Sequence, residues 1–317
     1  MKLDGWIPIR LYSEGGRLMT EWCCLRDLVF ADPFFDMTIA RACTHPFRAA
    51  FCYQTSADVL EERAVSRAGI PPAGLVLHAS RCGSTLISQM LASSPANVVI
   101  SEAAPVDSAI YAERLAPGIS DERRISLLRA VVHALGQPRG GGERRYFLKL
   151  DCWHTLDLEL IRRAFPETPW IFVYRDPVEI LASLGAAPAK WIVPSLVSIH
   201  DLRFSPADYR GNSTEYAARV LARIFESALE WSTRGGMLVN YRQLPGAMFS
   251  EVAAHFGCSW DADETKSMMA ATAYHAKTPQ LYFEPDTTQK QREASPKIHD
   301  LCERYLNGLY RDLLRQT

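Results

Sequence analysis

Much that usually marks a function is missing from this chain of 317 residues. There is no C-x-x-C pair: the eight cysteines (Cys23, Cys24, Cys43, Cys52, Cys82, Cys152, Cys258 and Cys302) follow no repeated spacing, which removes the usual zinc and redox signatures. They read as reduced thiols of a cytoplasmic protein. No run approaches the roughly 18 apolar residues of a membrane helix, and the opening MKLDGWIPIRLYSEGG lacks the apolar core of a signal peptide. Neither a membrane partner nor export is therefore expected. A charge excess is missing too. With 35 Lys+Arg against 36 Asp+Glu the net charge is −1, which argues against long nucleic acid and leaves small anions open, since a few local cations suffice. No carboxylate pair or histidine cluster demands a metal. What is present, 48% hydrophobic and 22% charged residues, suits a globular protein with a sizeable core, as one large domain with an appendage or as two.

The chain changes character near residue 70. Residues 1–70 read as a small β-rich cap: WIPIRLY, a turn at Ser13 to Gly16 and RLMTEWCCL alternate well enough for a hairpin. The aromatic FADPFF that follows reads as packing on the main domain. From Pro71 the pattern is α/β. GLVLHA, NVVI, RYFLKL, WIFVY and GMLVNY are short apolar runs of the length of strands buried on both faces. Helical stretches separate them: Ser84 to Ala92, Asp121 to Leu135, Thr155 to Phe165, Pro177 to Leu184 and Thr214 to Trp231. The alternation predicts a three-layer α/β domain over 71–317 with a central parallel sheet, and ligands gather at the carboxyl ends of such strands.

Three further segments stand out. GQPRGGGERR (136–145) is a flexible surface connector by composition. Residues 185–212 mix Pro with Trp191, His200, Phe204 and Tyr209 and are too long for a plain connector. They read as a lid or substrate loop, or as a loop that simply packs down. Near the C-terminus Ser295 as N-cap and Pro296 at the first helical position open a docked amphipathic helix.

The chemistry centres on HASRCGSTL, where an apolar run enters a short loop and a helical pattern starts at once. A strand, a tight turn and a helix N-terminus point successive backbone N–H groups at one place, with the positive end of the helix dipole behind them. In SRCGST, Gly83 lets the backbone approach an anion and Ser84 and Thr85 donate hydroxyls. Arg81 adds a forked cation suited to tetrahedral oxyanions. The lysine of the kinase loop G-x-x-x-x-G-K-[ST] is absent. A second cation, Arg175, follows the strand WIFVY directly, Asp176 caps the helix that Pro177 starts, and Ser183 lies eight residues after Arg175. Lys149 ends the strand of FLKLD and reaches the same sheet edge.

Together, a phosphate loop after the first strand and an Arg…Ser pair spaced by eight resemble the sulfotransferase family, which uses 3'-phosphoadenosine 5'-phosphosulfate and releases adenosine 3',5'-bisphosphate. The resemblance covers about residues 71 to 257 and implies the P-loop-like sulfotransferase fold with no metal. It implies that Ser80, Arg81, Cys82, Gly83, Ser84 and Thr85 hold the 5'-phosphosulfate, that Arg175 and Ser183 hold the 3'-phosphate, and that Tyr241 of VNYRQL belongs to the cofactor site. Lys149 and Arg81 would stabilise the negative charge that grows on the leaving oxygen. An acceptor hydroxyl, on a small molecule, a sugar or a peptide, needs a base. Glu102 comes first, 21 residues after Arg81 where the tyrosylprotein sulfotransferases place their glutamate; Asp151 comes second and His154 third.

Arg81 stands where cytosolic relatives carry Lys, as in Golgi and many bacterial members. The Arg-Lys-Gly cofactor loop of cytosolic enzymes is absent; in YHAKTPQLYFEPDTTQKQRE, Lys277 or Lys290 is the candidate to replace it. The rival readings are a P-loop kinase and a non-catalytic nucleotide-binding module of the same fold. A homodimer is one option for its assembly.

Overall fold

The computed structural model describes residues 3–26, 28–50, 52–66, 69–193, 196–205, 208 and 212–317. The five apolar runs form one parallel sheet: β4 (Pro72–His78), β5 (Asn97–Ser101), β6 (Arg145–Lys149), β7 (Trp170–Tyr174) and β8 (Gly236–Asn240), in the order β5-β6-β4-β7-β8. All five residues of β5 and all five of β7 are buried, as strands covered by helices on both faces must be. The register places Val76 beside Lys149, Ser101 beside Lys149, His78 beside Val173 and Tyr174 beside Asn240. The residues just past these strands, Glu102, Asp151, Arg175 and Tyr241, therefore emerge along one edge with the loop after His78. Ligand sites in such sheets form at that edge.

The helices follow the expected pattern with local departures. Ser84–Ala92 and Asp121–Leu135 appear with the anticipated bounds, the latter capped by Ser120 Oγ accepting from the Arg123 N–H at 3.3 Å. The stretch after β6 begins as a 3-10 turn, Cys152–Asp157, and becomes α-helical over Leu158–Ala164. The C-terminal helix is two, Pro296–Tyr305 and Asn307–Gln316, broken at Leu306, whose φ of −125° leaves the helical range. An exposed hairpin of β9 (Tyr274–His275) and β10 (Thr278–Tyr282) lies in the segment that carries Lys277.

The N-terminal region holds a three-stranded antiparallel sheet of β1 (Trp6–Glu14), β2 (Arg17–Cys24) and β3 (Tyr53–Ser56). Its hairpin turns at Gly15 and Gly16, whose φ of 56° and 77° is the left-handed pair a two-residue turn requires. Three helices accompany the sheet: Phe35–Cys43, Pro46–Ala50 and Ala57–Ser66. The last is tied to helix Asp121–Leu135 by Arg123, which pairs with Asp58 and Glu61 at 2.6 Å each. Buried Ile7, Trp22, Phe35 and Leu60 join the same apolar core as Leu75, Leu127 and Phe172.

Candidate active site

β4 ends at His78 and the chain turns sharply before helix Ser84–Ala92. Five described non-glycine residues have left-handed φ, and three of them stand here: Ser80 (62°), Arg81 (53°) and Glu102 (54°). Each such residue costs about 1–3 kcal/mol and persists only where the surroundings impose it. Gly83, with φ 90°, is held against Tyr241: a Cβ there would sit 2.7 Å from the ring. Cys82 Sγ donates to the Val173 carbonyl at 3.0 Å and pins the loop to β7; burial pushes its thiol up to about 11. No side chain caps helix Ser84–Ala92, so the N–H groups of its first turn are left for a ligand. Buried Ser84 and Thr85 line the same space.

That space is a cavity of about 1240 Å³ along the sheet edge. At one end Arg81 donates from Nε to Ser183 Oγ (2.9 Å) and from Nη2 to the Ser183 carbonyl (3.3 Å). Glu102 lines the wall, and Lys149, 1% exposed, lies beneath it as its ion-pair partner. Burial alone would raise the Glu102 carboxyl, but the Lys149 ammonium and His78 hold it well below the usual carboxylate range. His78 Nδ1 accepts from the Ser80 N–H at 3.0 Å, which leaves the ring proton on Nε2, 3.4 Å from Glu102 Oε1. Burial pushes this histidine down to about 4, so the ring is neutral. Phe34 closes this end, its ring 5.2 Å from the Lys149 ammonium and 5.9 Å from that of Lys277. Burial, then the nearby Arg81 and Lys149 charges, pushes Lys277 down to about 8.

Asp151 also lines the cavity, with Lys190 Nζ 3.8 Å away. Burial and the Glu102 charge push its carboxyl up to about 7, so it titrates at neutral pH. His154 is not part of the wall: Nδ1 accepts from the Asp151 N–H at 3.2 Å and Nε2 meets Asp107 Oδ1 at 3.0 Å. Asp107, Asp151 and His154 are close enough together to hold an ion. Both nitrogens of that ring are already committed, however, and a metal would need one of them as a free lone pair.

At the other end Arg175, 5% exposed, donates from Nε to Glu179 Oε2 at 2.5 Å, and from Nη2 to Asp286 Oδ1 at 2.8 Å and Thr287 Oγ1 at 3.1 Å. Its guanidinium lies 4.1 Å from the Tyr241 ring centroid. Lys290 Nζ pairs with Asp286 Oδ2 at 2.5 Å. Of the two residues expected to hold the 3'-phosphate, Ser183 accepts from Arg81 and Arg175 is bonded to Glu179, four residues on; both line the cavity. Arg175 precedes helix Pro177–Ala186, and Glu179, at i+4, is its near neighbour in the first turn. The two lysines also part company, Lys277 joining Arg81 and Lys290 joining Arg175.

Within the 185–212 segment only Trp191 among the four named residues is both described and on the cavity wall, with Nε1 3.5 Å from Ser80 Oγ. Phe204 packs on Tyr216 of helix Ser213–Ser232, ring centroids 5.4 Å apart, and His200 is exposed. Tyr209 lies outside the described residues. Sequence reasoning missed Phe34, His78, Lys190 and Asp286. His78 had a usable signal, as the last residue of the strand before the loop. Phe34 had none, because it arrives from the cap.

No protein-family model matches the chain, and no curated protein matches it in sequence. Among solved structures it is similar to sulfotransferase STF9 from Mycobacterium avium, at 16% identity and TM-score 0.49 over 80% of each chain. It is similar to sulfotransferase STF1 from Mycobacterium tuberculosis H37Rv, at 15% identity and TM-score 0.45 over 80% of this chain and 82% of that one. Retinol dehydratase in complex with androsterone and inactive cofactor PAP follows at 12% identity and TM-score 0.32, over 84% and 88%. The structures it resembles include several bacterial sulfotransferases.

Proposed function

We propose that the chain is a sulfotransferase that moves a sulfuryl group from 3'-phosphoadenosine 5'-phosphosulfate to a hydroxyl acceptor. One observation carries this reading. An uncapped helix start, with Arg81 and Lys277 facing it, shares a cavity with an ionised carboxylate, Glu102, held in a left-handed backbone conformation. The first group suits a multiply charged anion, the second a proton to be removed, and sulfuryl transfer needs both. The donor supplies a sulfuryl group already activated on a nucleotide. The loop N–H groups, Ser84 and Thr85 bind its 5' end. Arg81 and Lys277 neutralise charge that grows on the leaving oxygen. Glu102 accepts the acceptor's proton, with Lys149 and His78 orienting its carboxylate, and Asp151 stands beside it as the alternative base. A kinase would want its lysine after Gly83, where Ser84 stands.

Thermal melting separates the two. Adenosine 3',5'-bisphosphate at 100 times its dissociation constant should stabilise the fold by about 2.7 kcal/mol, and ATP with magnesium should not. Stabilisation by ATP with magnesium alone refutes the sulfotransferase reading. If Glu102 is the base, Glu102→Gln removes sulfuryl transfer and leaves the bisphosphate shift intact.

A further inference from the structure

We propose that the carboxylate of Asp286 occupies the position meant for the donor's second anionic group and so sets how strongly the site discriminates nucleotides that carry a 3'-phosphate. This rests on the donor reading above. Asp286 spans the two cations of that end: Oδ1 accepts from Arg175 Nη2 at 2.8 Å and Oδ2 meets Lys290 Nζ at 2.5 Å. A phosphate oxygen pair would take the same two donors, since guanidinium and ammonium groups recognise both anions through the same bonds.

The charges show why this end differs from the other. Arg175 and Lys290 face Glu179 and Asp286, so these four charges cancel, whereas Lys149 and Lys277 share Glu102 and Arg81 feels the Asp286 charge from across the cavity. A dianion entering the neutral cluster meets no net attraction until one carboxylate leaves. Glu179 is not free to go. Its side chain is 2% exposed and accepts from Arg175, Thr287 and Gln291. Asp286 is 37% exposed and begins the short helix Thr287–Glu293, so it can turn into water with little desolvation to reverse. Once it turns away, the pocket gains one net positive charge and Thr287 Oγ1 remains beside Arg175 as a hydroxyl partner. Asp286 thus acts as a competing anion built into the chain, and segment 286–293 shifts when the nucleotide replaces it.

Isothermal titration of the full chain with adenosine 3',5'-bisphosphate and with adenosine 5'-monophosphate tests this. Asp286→Asn should tighten the bisphosphate roughly tenfold, the effect of removing about 1.4 kcal/mol of like-charge competition, and leave the monophosphate within about twofold. Asp286→Ala should act in the same direction, which guards against one variant folding poorly. Unchanged or weaker bisphosphate binding in both variants, with the wild type still binding, overturns the competing role of Asp286 alone. A wild type that binds neither nucleotide overturns the donor reading, and this inference with it.

Discussion

The two ends of the cavity use the same residue types to opposite effect. At the loop end, cations crowd together with few counter-ions, so that Lys277 is pushed down to about 8 by burial and by Arg81 and Lys149. At the far end Arg175 is matched by Glu179 and Asp286, and Lys290 by Asp286. On the proposed function, the crowd of like charges would attract an anion directly, and the matched set would first have to open. The difference teaches that one arginine on a strand edge says little until its carboxylate neighbours are counted.

The sharpest way to break the comparison is at the buried pair of the loop end. Lys149→Met leaves Glu102 buried without its cation, and denaturant unfolding should show a loss of about 3–5 kcal/mol. A loss under about 1 kcal/mol, the range of exposed pairs, would mean that the pair is not held dry. Next come the two arginines. Arg81→Ala should weaken adenosine 3',5'-bisphosphate about a hundredfold and Arg175→Ala about tenfold, because part of the Arg175 attraction is offset by Asp286 (charged hydrogen bonds contribute about 1.5–3 kcal/mol each). Equal losses by titration calorimetry would erase the asymmetry. Gly83→Ala asks for a Cβ at φ 90° and 2.7 Å from Tyr241, so it should cost about 1 kcal/mol or more in stability and weaken nucleotide binding with it.

A further prediction concerns pH dependence. Asp151 titrates at about 7 in the fold against 3.8 in the free side chain, so between these values the folded chain holds a proton that the unfolded chain releases. Its contribution to stability is complete below about pH 4 and is lost as pH rises toward 7. Asp151→Asn should therefore raise the melting temperature more at pH 8 than at pH 5; an equal rise at both would show that the carboxyl is not perturbed. A rate limb near pH 7 that vanishes in this variant would make Asp151 the base in place of Glu102.

How far the residues themselves announced this arrangement differs from place to place. The parallel sheet was legible because WIFVY and NVVIS are apolar throughout, which only strands covered on both faces tolerate. The tight turn between strand and helix was legible because a glycine and hydroxyls follow such a strand directly. Pairings were not. Spacing along the chain placed Ser183 with Arg175 on one phosphate, and nothing in it told that Arg81, 102 residues earlier, donates to the Ser183 hydroxyl. The cap region read as β-rich, and its three strands are there, but its contribution to the cavity, Phe34 over two lysines, could not be read from an aromatic run that looks like packing.

The sequence by itself determined the layers, the strand ends and so the set of residues delivered to one edge, since apolar periodicity and chain order act locally. Only the tertiary structure decided which charges meet. Lys149 went to Glu102, Arg175 to Glu179 and Asp286, and Lys277 to the loop through an exposed hairpin. Coulomb interactions depend on distance and burial rather than on position along the chain, and both are set by how the edge closes.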